Sequence, residues 1–329
     1  MRWLAWMLLP LLTSVAAIAS ADTAGKPEPA APASDAPPEP PRTRLLLNNL
    51  LAFRYNPLGF EDQVRVGLQT RLYRSKEAVL RDNFIFTGAY PKINPAFIKA
   101  GPSIEIQPLS IFNLRLAAEI VGFYSSFGAL QSFSSPTAAY SDTDLRAGKE
   151  AGRNYATYGA HAMIEPTIQL KFGRFVLRDK LAVEYWRMNV RDGDTVWYDM
   201  SLDTLVPSNG WVVTNDLDAL YLHDFKDWKG RFHGARLTAG LRYTTVQPIY
   251  RERDFQSGDA RSLADNSHHR AGPLVAFTFF DRGFTQFNKP TALVIANWYI
   301  DHRFRTGRDV SGAIPYLIVG FAFQSDLLE

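Results

Sequence analysis

Hydrophobic and polar residues alternate one by one along most of the chain after Leu45. Residues 64–72, 113–124, 159–171 and 235–246 each place apolar or small side chains on one face and charged residues or glycines on the other. A period of two is the pattern of a β-strand, because successive side chains of a strand point to opposite faces of its sheet. The chain is therefore predicted to be all-β.

The length of the alternating runs separates a soluble sandwich from a membrane barrel. Several runs continue for about ten residues or more, whereas strands in globular proteins usually have about five or six residues. A tilted strand needs about 9 to 11 residues to cross a bilayer. The polar face mixes Arg, Glu and Gly, as expected for a wet or ion-paired lumen. We therefore predict a closed antiparallel transmembrane β-barrel.

The runs and the turn residues between them predict about twelve strands. These lie at residues 45–55, 63–73, 83–90, 97–107, 111–124, 155–171, 175–190, 211–223, 233–247, 270–280, 291–303 and 314–323. With a periplasmic N-terminus, the long polar connections 125–154, 191–210, 248–269 and 304–313 all fall outside the cell. Long loops on one side and short turns on the other are typical of outer-membrane barrels.

The first 43 residues differ from the rest of the chain. Residues 1–21 combine Arg2, an apolar stretch and the small residues Ala19-Ser20-Ala21, which is the arrangement of a cleavable signal peptide. Residues 22–43 hold seven of the twenty prolines and predict a disordered periplasmic linker that could reach a periplasmic partner. The barrel is expected to occupy residues 44–329.

Composition excludes several classes of function. The 36 Lys and Arg are nearly balanced by 33 Asp and Glu, and no dense basic face for binding nucleic acid is visible. The absence of Cys excludes disulfides, thiolate metal sites and a cysteine nucleophile. Common nucleotide-binding, zinc-protease and serine-hydrolase motifs are also missing. We therefore predict neither a cofactor nor a metal site, and a non-enzymatic role is favoured.

Aromatic residues cluster near the ends of the predicted strands, where outer-membrane barrels carry aromatic girdles. The set comprises Tyr73, Phe123, Tyr124, Tyr155, Tyr158, Phe172, Phe175, Trp211, Tyr221, Trp298 and Tyr299. We expect these rings to lie where acyl chains meet lipid headgroups.

The last predicted strand alternates Leu317, Val319, Phe321 and Phe323 on one face. It resembles the C-terminal signal of Gram-negative outer-membrane β-barrel proteins, which ends in Phe and is read by the barrel-assembly machinery. The chain departs from that pattern because residues 324–329 follow Phe323. The resemblance implies the outer membrane of a Gram-negative bacterium, with outer-membrane lipids, lipopolysaccharide and the assembly machinery as partners.

Charged residues at inward positions are the candidate site residues. The predicted lumen-lining set is Arg65, Arg71, Arg115, Glu119, His161, Glu165, Glu184, Arg236 and Arg242. These groups could pair into a network that blocks a narrow barrel, or they could line a pore with a weak preference for anions. His161 shares a strand face with Glu165 and could act as a base, although no Ser lies on that strand.

Three functions remain open from the sequence. The first is a channel or export conduit for small polar or anionic solutes, with polysaccharide among the candidate cargoes. The second is an outer-membrane lipid hydrolase or deacylase. The third is a non-catalytic surface anchor or adhesin that binds through its loops, notably 125–154. The missing catalytic motifs favour the first.

Overall fold

The computed structural model describes residues 41–124, 130–225 and 233–328. The predicted signal peptide and nearly all of the predicted linker lie outside these described residues. The first strand begins at Thr43, which is one position before the predicted start of the barrel.

Strands dominate the described residues. They are β1 (Thr43–Tyr55), β2 (Gly59–Thr70), β3 (Phe84–Ala89), β4 (Lys92–Ile93), β5 (Phe97–Ala100), β6 (Pro102–Leu109), β7 (Phe112–Phe123), β8 (Ser132–Phe133), β9 (Thr157–Phe172), β10 (Phe175–Met188), β11 (Val196–Asp199), β12 (Thr204–Pro207), β13 (Asn209–Asp224), β14 (Arg236–Ile249), β15 (His268–Thr278), β16 (Asn288–Asp301) and β17 (Tyr316–Asp326). The helices are α1 (Ala78–Arg81) and α2 (Asp142–Glu150), with 3₁₀ turns at Glu252–Asp254 and Arg261–Ala264.

Fourteen of these strands form one antiparallel sheet that closes on itself. β1 pairs with β2 on one side and with β17 on the other, from Leu46 opposite Asp326 to Tyr55 opposite Leu317. β3 and β4 both pair with β2, and β5 and β6 both pair with β7. Each of these two pairs is one interrupted barrel strand. The fold is therefore a closed antiparallel barrel of twelve strands, as the alternating pattern predicts.

Besides shifts of a few residues at strand ends, two differences from the predicted strands affect the barrel wall. The strand predicted at 97–107 is interrupted at Gly101, where an added Cβ atom would lie 2.0 Å from the carbonyl oxygen of Ala118. The last strand continues beyond Phe323, because Gln324, Ser325 and Asp326 pair with the start of β1. Phe323 therefore does not end the strand.

The outer face of the barrel is apolar. Ile120, Leu241 and Ile300 expose 73%, 62% and 63% of their surface, and large apolar residues at outward positions of the other barrel strands are also exposed. A water-soluble monomer rarely exposes a continuous apolar patch of this kind. Among the described residues, no helix has both the length and the apolar composition needed to cross a membrane.

The two ends of the barrel are different. One end, the loop end, carries the connections at 56–58, 94–96, 124–156, 189–208, 250–267 and 302–315. The opposite, turn end carries those at 71–83, 110–111, 173–174, 225–235 and 279–287. The four connections predicted to be long all lie at the loop end, as the alternation predicts. The turn end also carries a long connection, at 71–83, and the loop end has short ones at 56–58 and 94–96.

Part of the loop end folds back into the barrel. β11 and β12 form an antiparallel hairpin, and β8 adds to its edge. We call residues 196–207 the plug hairpin. Its Trp197 and Val206 are fully buried and join Phe123, Trp186 and other wall residues in a hydrophobic cluster. A connection predicted to be polar and external thus supplies a hydrophobic core inside the loop end.

Candidate functional site: the barrel lumen

Inward charges on neighbouring strands form a ladder of ion pairs. Strand register places Glu105 opposite Arg115, and Arg115 opposite Glu165. Arg115 Nη2 lies 2.9 Å from Glu165 Oε2, and Arg65 Nη2 lies 2.8 Å from Glu105 Oε2. The ladder therefore joins Arg65, Arg115 and Glu165, three of the predicted lumen residues.

A second ladder lies on the other side of the lumen and is centred on Asp218. This buried carboxylate lies opposite Arg178 of β10 and Arg242 of β14. Arg178 Nη2 lies 2.5 Å from Asp218 Oδ2, and Arg242 Nε lies 2.7 Å from Asp218 Oδ1. Lys180 Nζ lies 3.3 Å from Asp216 Oδ2. Of these residues, the predicted set contains Arg242 alone, although the two aspartates stand two positions apart on one strand face.

His161 is buried between two carboxylates. Register aligns Glu119, His161 and Trp186 across β7, β9 and β10. The imidazole Nδ1 lies 2.7 Å from Glu119 Oε2, and Nε2 lies 2.8 Å from Glu184 Oε2. The ring also packs on Trp186, with centroids 4.1 Å apart, and Lys99 Nζ lies 3.6 Å from Glu119 Oε2. We call these five residues the His161 cluster.

The contacts of His161 indicate its protonation state. An ionised carboxylate only accepts hydrogen bonds, and a neutral imidazole has a single N–H donor. Both carboxylate contacts are satisfied when both ring nitrogens carry protons, so the geometry fits an imidazolium. The imidazolium and Lys99 then balance the charges of Glu119 and Glu184. Both nitrogens are occupied, so no ring nitrogen is free to accept a proton from a nucleophile.

Two predicted lumen residues lie at the turn end instead. Arg71 follows the last residue of β2, and its backbone N–H donates to Arg42 O at 2.8 Å. Arg236 is the first residue of β14, and its half-exposed side chain pairs with Asp224. The alternation predicts that both side chains point inward. Both residues instead lie where a strand ends or begins, at the rim of the barrel.

The predicted assembly and girdle residues lie mainly on the outside of the wall. Leu317, Val319, Phe321 and Phe323 share the outward face of β17, and Phe287 packs on Phe323 with ring centroids 5.3 Å apart. Of the predicted girdle, Tyr73, Tyr124, Tyr158, Phe172, Phe175, Trp211 and Trp298 are exposed. Phe123 and Tyr299 are instead buried. Phe123 packs on Trp197 of the plug hairpin, and Tyr299 donates to Asp203 of the same hairpin.

The lumen contains three adjacent cavities whose linings include charged side chains. The first, about 440 Å³, lies among the ion-pair ladders and is lined by Asn48, Arg65, Arg115 and Arg178 with other polar residues. A second, about 290 Å³, shares Asn48 and Arg65 with it. A third, about 280 Å³, shares Gln63 with the second and ends against the tip of the plug hairpin at Asp199, Ser201 and Leu202. Polar space therefore extends from the ladders to the hairpin.

A buried ion-pair network fastens the plug hairpin to the other loops. Arg305 pairs with Asp203 through Nε, and its Nη2 donates to Asp203 Oδ1 at 2.9 Å and to Asp142 Oδ1 at 2.9 Å. Tyr198 and Tyr299 also donate to the Asp203 carboxylate. Burial alone raises the pKa of Asp203, but His302 and Arg305 outweigh burial and hold that pKa well below its usual range.

The aspartates of the loop at 191–203 have separate partners. Asp194 accepts from Ser132 Oγ. Asp199 Oδ1 accepts from the backbone N–H groups of Ser201 and Leu202 at 2.7 and 3.1 Å. Asp203 binds Arg305. These carboxylates therefore stabilise the loops rather than converge on one point.

Comparison with known proteins yields distant structural likeness. No family model and no curated protein matches the sequence. The outer membrane protein OprD of Pseudomonas aeruginosa is 8% identical, with a TM-score of 0.26, over 87% of this chain and 93% of that one. CdiB of Acinetobacter baumannii is 8% identical, with a TM-score of 0.33, over 87% and 60%. OmpT of Vibrio cholerae is 8% identical, with a TM-score of 0.29, over 86% and 98%. At these TM-scores the likeness supports no functional argument.

Proposed function

We propose that this protein is an outer-membrane channel for small polar or anionic solutes, with the plug hairpin as its constriction. The observation that carries the proposal is the series of adjacent cavities with charged lining residues inside a closed barrel. Side chains could have filled this space with apolar contacts, as in a purely structural barrel. Here charged groups line it instead, and the room between them is large enough for water and small solutes.

The charge of the cavity walls supports a preference for anions. The basic residues that line the three cavities are Arg54, Arg65, Lys92, Lys99, Arg115, Arg178, Lys180 and Lys289. The acidic ones are Glu61, Glu105, Glu165, Glu184 and Asp199. The cavity linings thus hold eight basic groups against five acidic groups, and an excess of basic side chains favours anions in a pore.

The outer face and the loops support the outer membrane of a Gram-negative bacterium as the location. The exposed apolar side chains match a lipid environment, and the long loops at a single end match the outward side of such barrels. Outer-membrane lipids and lipopolysaccharide then surround the wall, and the barrel-assembly machinery inserts it. Membrane fractionation tests this location, and recovery of the protein in the inner membrane would contradict it.

The lipid-hydrolase alternative has no comparable support. His161 faces the lumen instead of the lipid, and both of its ring nitrogens contact glutamates. The adhesin alternative concerns the outer surface of the loops and leaves the polar interior unexplained. The channel accounts for both the charged walls and the plug.

Planar lipid bilayers test the proposed function. The protein purified from outer membranes should give discrete current steps, and a KCl gradient should give a reversal potential of the sign expected for anion preference. A matched variant replaces residues 196–207 with a short Gly-Ser linker and should conduct several-fold more. If neither protein conducts, although both run as folded barrels on unheated gels, the proposed function is wrong.

A further inference from the structure

The cavity beneath the plug hairpin has two chemically different walls. Phe97, Phe123 and Trp186 form an aromatic side, together with Val121 and Leu202. Arg54, Lys92, Lys99 and Lys180 form a basic side. A pocket that combines an apolar wall with a few placed charges is the usual form of a small-molecule site.

Two of the basic residues form no direct ion pair with a described residue, and Glu61 is an acidic neighbour of both. Lys99 pairs with Glu119, and Lys180 pairs with Asp216. Within the described ranges, by contrast, no ion pair involves Lys92 or Arg54. The buried Nε of Arg54 has no hydrogen-bond partner, and Nη1 makes a long bond of 3.4 Å to Ser201 O at the hairpin tip.

The acidic residues of this cavity are occupied by other groups. Glu184 contacts His161, and Glu61 accepts from Gln63 Nε2 at 2.5 Å. Asp199 accepts two backbone N–H groups of the hairpin tip. The buried Oγ of Ser201 has no partner. Arg54 and Ser201, two residues that line the cavity, therefore each hold a buried donor without a partner. An unsatisfied buried donor costs about 1–3 kcal/mol, and a bound anion that reached these groups would recover that cost.

We propose that this cavity is a binding site for a small carboxylate with an apolar body. Arg54, Lys92 and Ser201 Oγ take the carboxylate, and Phe97, Phe123 and Trp186 contact the apolar part. The volume of about 280 Å³ corresponds to roughly nine water molecules and suits a molecule of similar heavy-atom count. The inference rests on the proposed channel, because it names the class of anion that the constriction selects.

Calorimetric titration of the detergent-solubilised protein with benzoate tests the site, and benzamide is the neutral probe of the same shape. Benzamide should bind at least about tenfold more weakly, because it lacks the charge that the two cations recognise. The double variant Arg54→Gln, Lys92→Gln should weaken benzoate binding by about tenfold or more. The loop variant Ser201→Ala, which leaves the barrel wall untouched, should weaken it by about threefold.

Lys289→Gln is the matched control, because Lys289 lines a neighbouring cavity but pairs with Asp281 at 3.4 Å. It should leave the benzoate affinity unchanged. Equal affinity for benzoate and benzamide, or unchanged affinity in both the double variant and Ser201→Ala, would overturn the site. Bilayer recordings on the same samples separate the two proposals. A conducting protein that binds no benzoate overturns the site alone, whereas a protein that binds benzoate without conducting overturns the channel alone.

Discussion

Trp186 on the barrel wall and Trp197 on the plug hairpin meet edge to face, with ring centroids 5.2 Å apart. Trp186 also packs on the imidazole of His161, a polar group. The hairpin therefore sits directly on the wall residue that covers the His161 cluster. One indole ring therefore contacts both the plug hairpin and the imidazole of His161.

Trp197→Ala is expected to loosen the plug and raise single-channel conductance several-fold. Removing a fully buried Trp side chain costs about 3–5 kcal/mol, and here the loss falls on the contact between hairpin and wall. Bilayer recordings provide the measurement. Trp298→Ala is the control, since the exposed Trp298 lies outside the plug, and its conductance should match the wild type. Equal conductance of the two variants would show that Trp197 does not hold the plug.

His161→Leu is expected to lower the free energy of unfolding by about 3–5 kcal/mol, because it leaves two buried carboxylates without their shared cation. Urea titration in detergent micelles, followed by Trp fluorescence, measures the change. In a Glu119→Gln, Glu184→Gln background the same substitution should cost clearly less. Arg236→Gln, at a solvent-exposed rim pair, should have almost no effect. A similarly small loss of stability in His161→Leu and in Arg236→Gln would contradict the proposed ion pairing of His161 with Glu119 and Glu184.

The ion pairs and hydrogen bonds that Asp203 makes with the other loops are expected to be lost only in acid. The folded pKa of Asp203 lies well below its usual range, so its stabilising effect is complete above the unfolded value of about 3.9 and is lost as pH falls below it. The loops should resist proteolysis from pH 5 to 8 and become susceptible to pepsin in strong acid. The loops of the Asp203→Asn variant should be cleaved at neutral pH. Those of the Asp192→Asn variant, which changes an exposed loop position, should stay resistant. Loss of resistance near pH 6 would refute the assignment.

Leu241→Arg is expected to destabilise the barrel in vesicles by about 2–4 kcal/mol, the cost of a cation on a lipid-facing wall near the bilayer midplane. Leu58→Arg is the matched control, because Leu58 is similarly exposed but lies in the loop-end connection at 56–58. Reversible urea unfolding in lipid vesicles measures both. Equal effects of the two substitutions would mean that Leu241 does not face acyl chains.

Strand parity is the part of this structure that the sequence reveals most directly. In β9, alternation alone places His161 and Glu165 inward, and both side chains do lie among lumen charges. The pairing of His161 with Glu119 and Glu184 was not predictable, since it depends on the register between strands far apart in the chain. The sequence predicts strand ends less well than parity. The strand predicted at 63–73 includes Arg71, but β2 stops at Thr70.

The sequence also does not predict the plug hairpin, and the reason is different. Residues 196–207 contain apolar positions, but their partners, including Phe123 and Val246, lie on distant strands. No local pattern distinguishes a loop that turns into the barrel from one that faces solvent. The carboxylates of this loop have no visible partners in the sequence. Asp203 binds Arg305, more than one hundred positions away, and this contact exists only after the chain has folded.

The double pairing of β1 has a mechanical consequence. Its neighbours on both sides run antiparallel to it, and Arg44 Nε is fixed to Asp326 Oδ2 at 2.7 Å near the point where the chain enters the wall. A pull along the axis of β1 would load the hydrogen bonds of both ladders in shear. The bonds would then share the force instead of opening one after another, so β1 should resist extraction from the wall better than a strand paired on one side only.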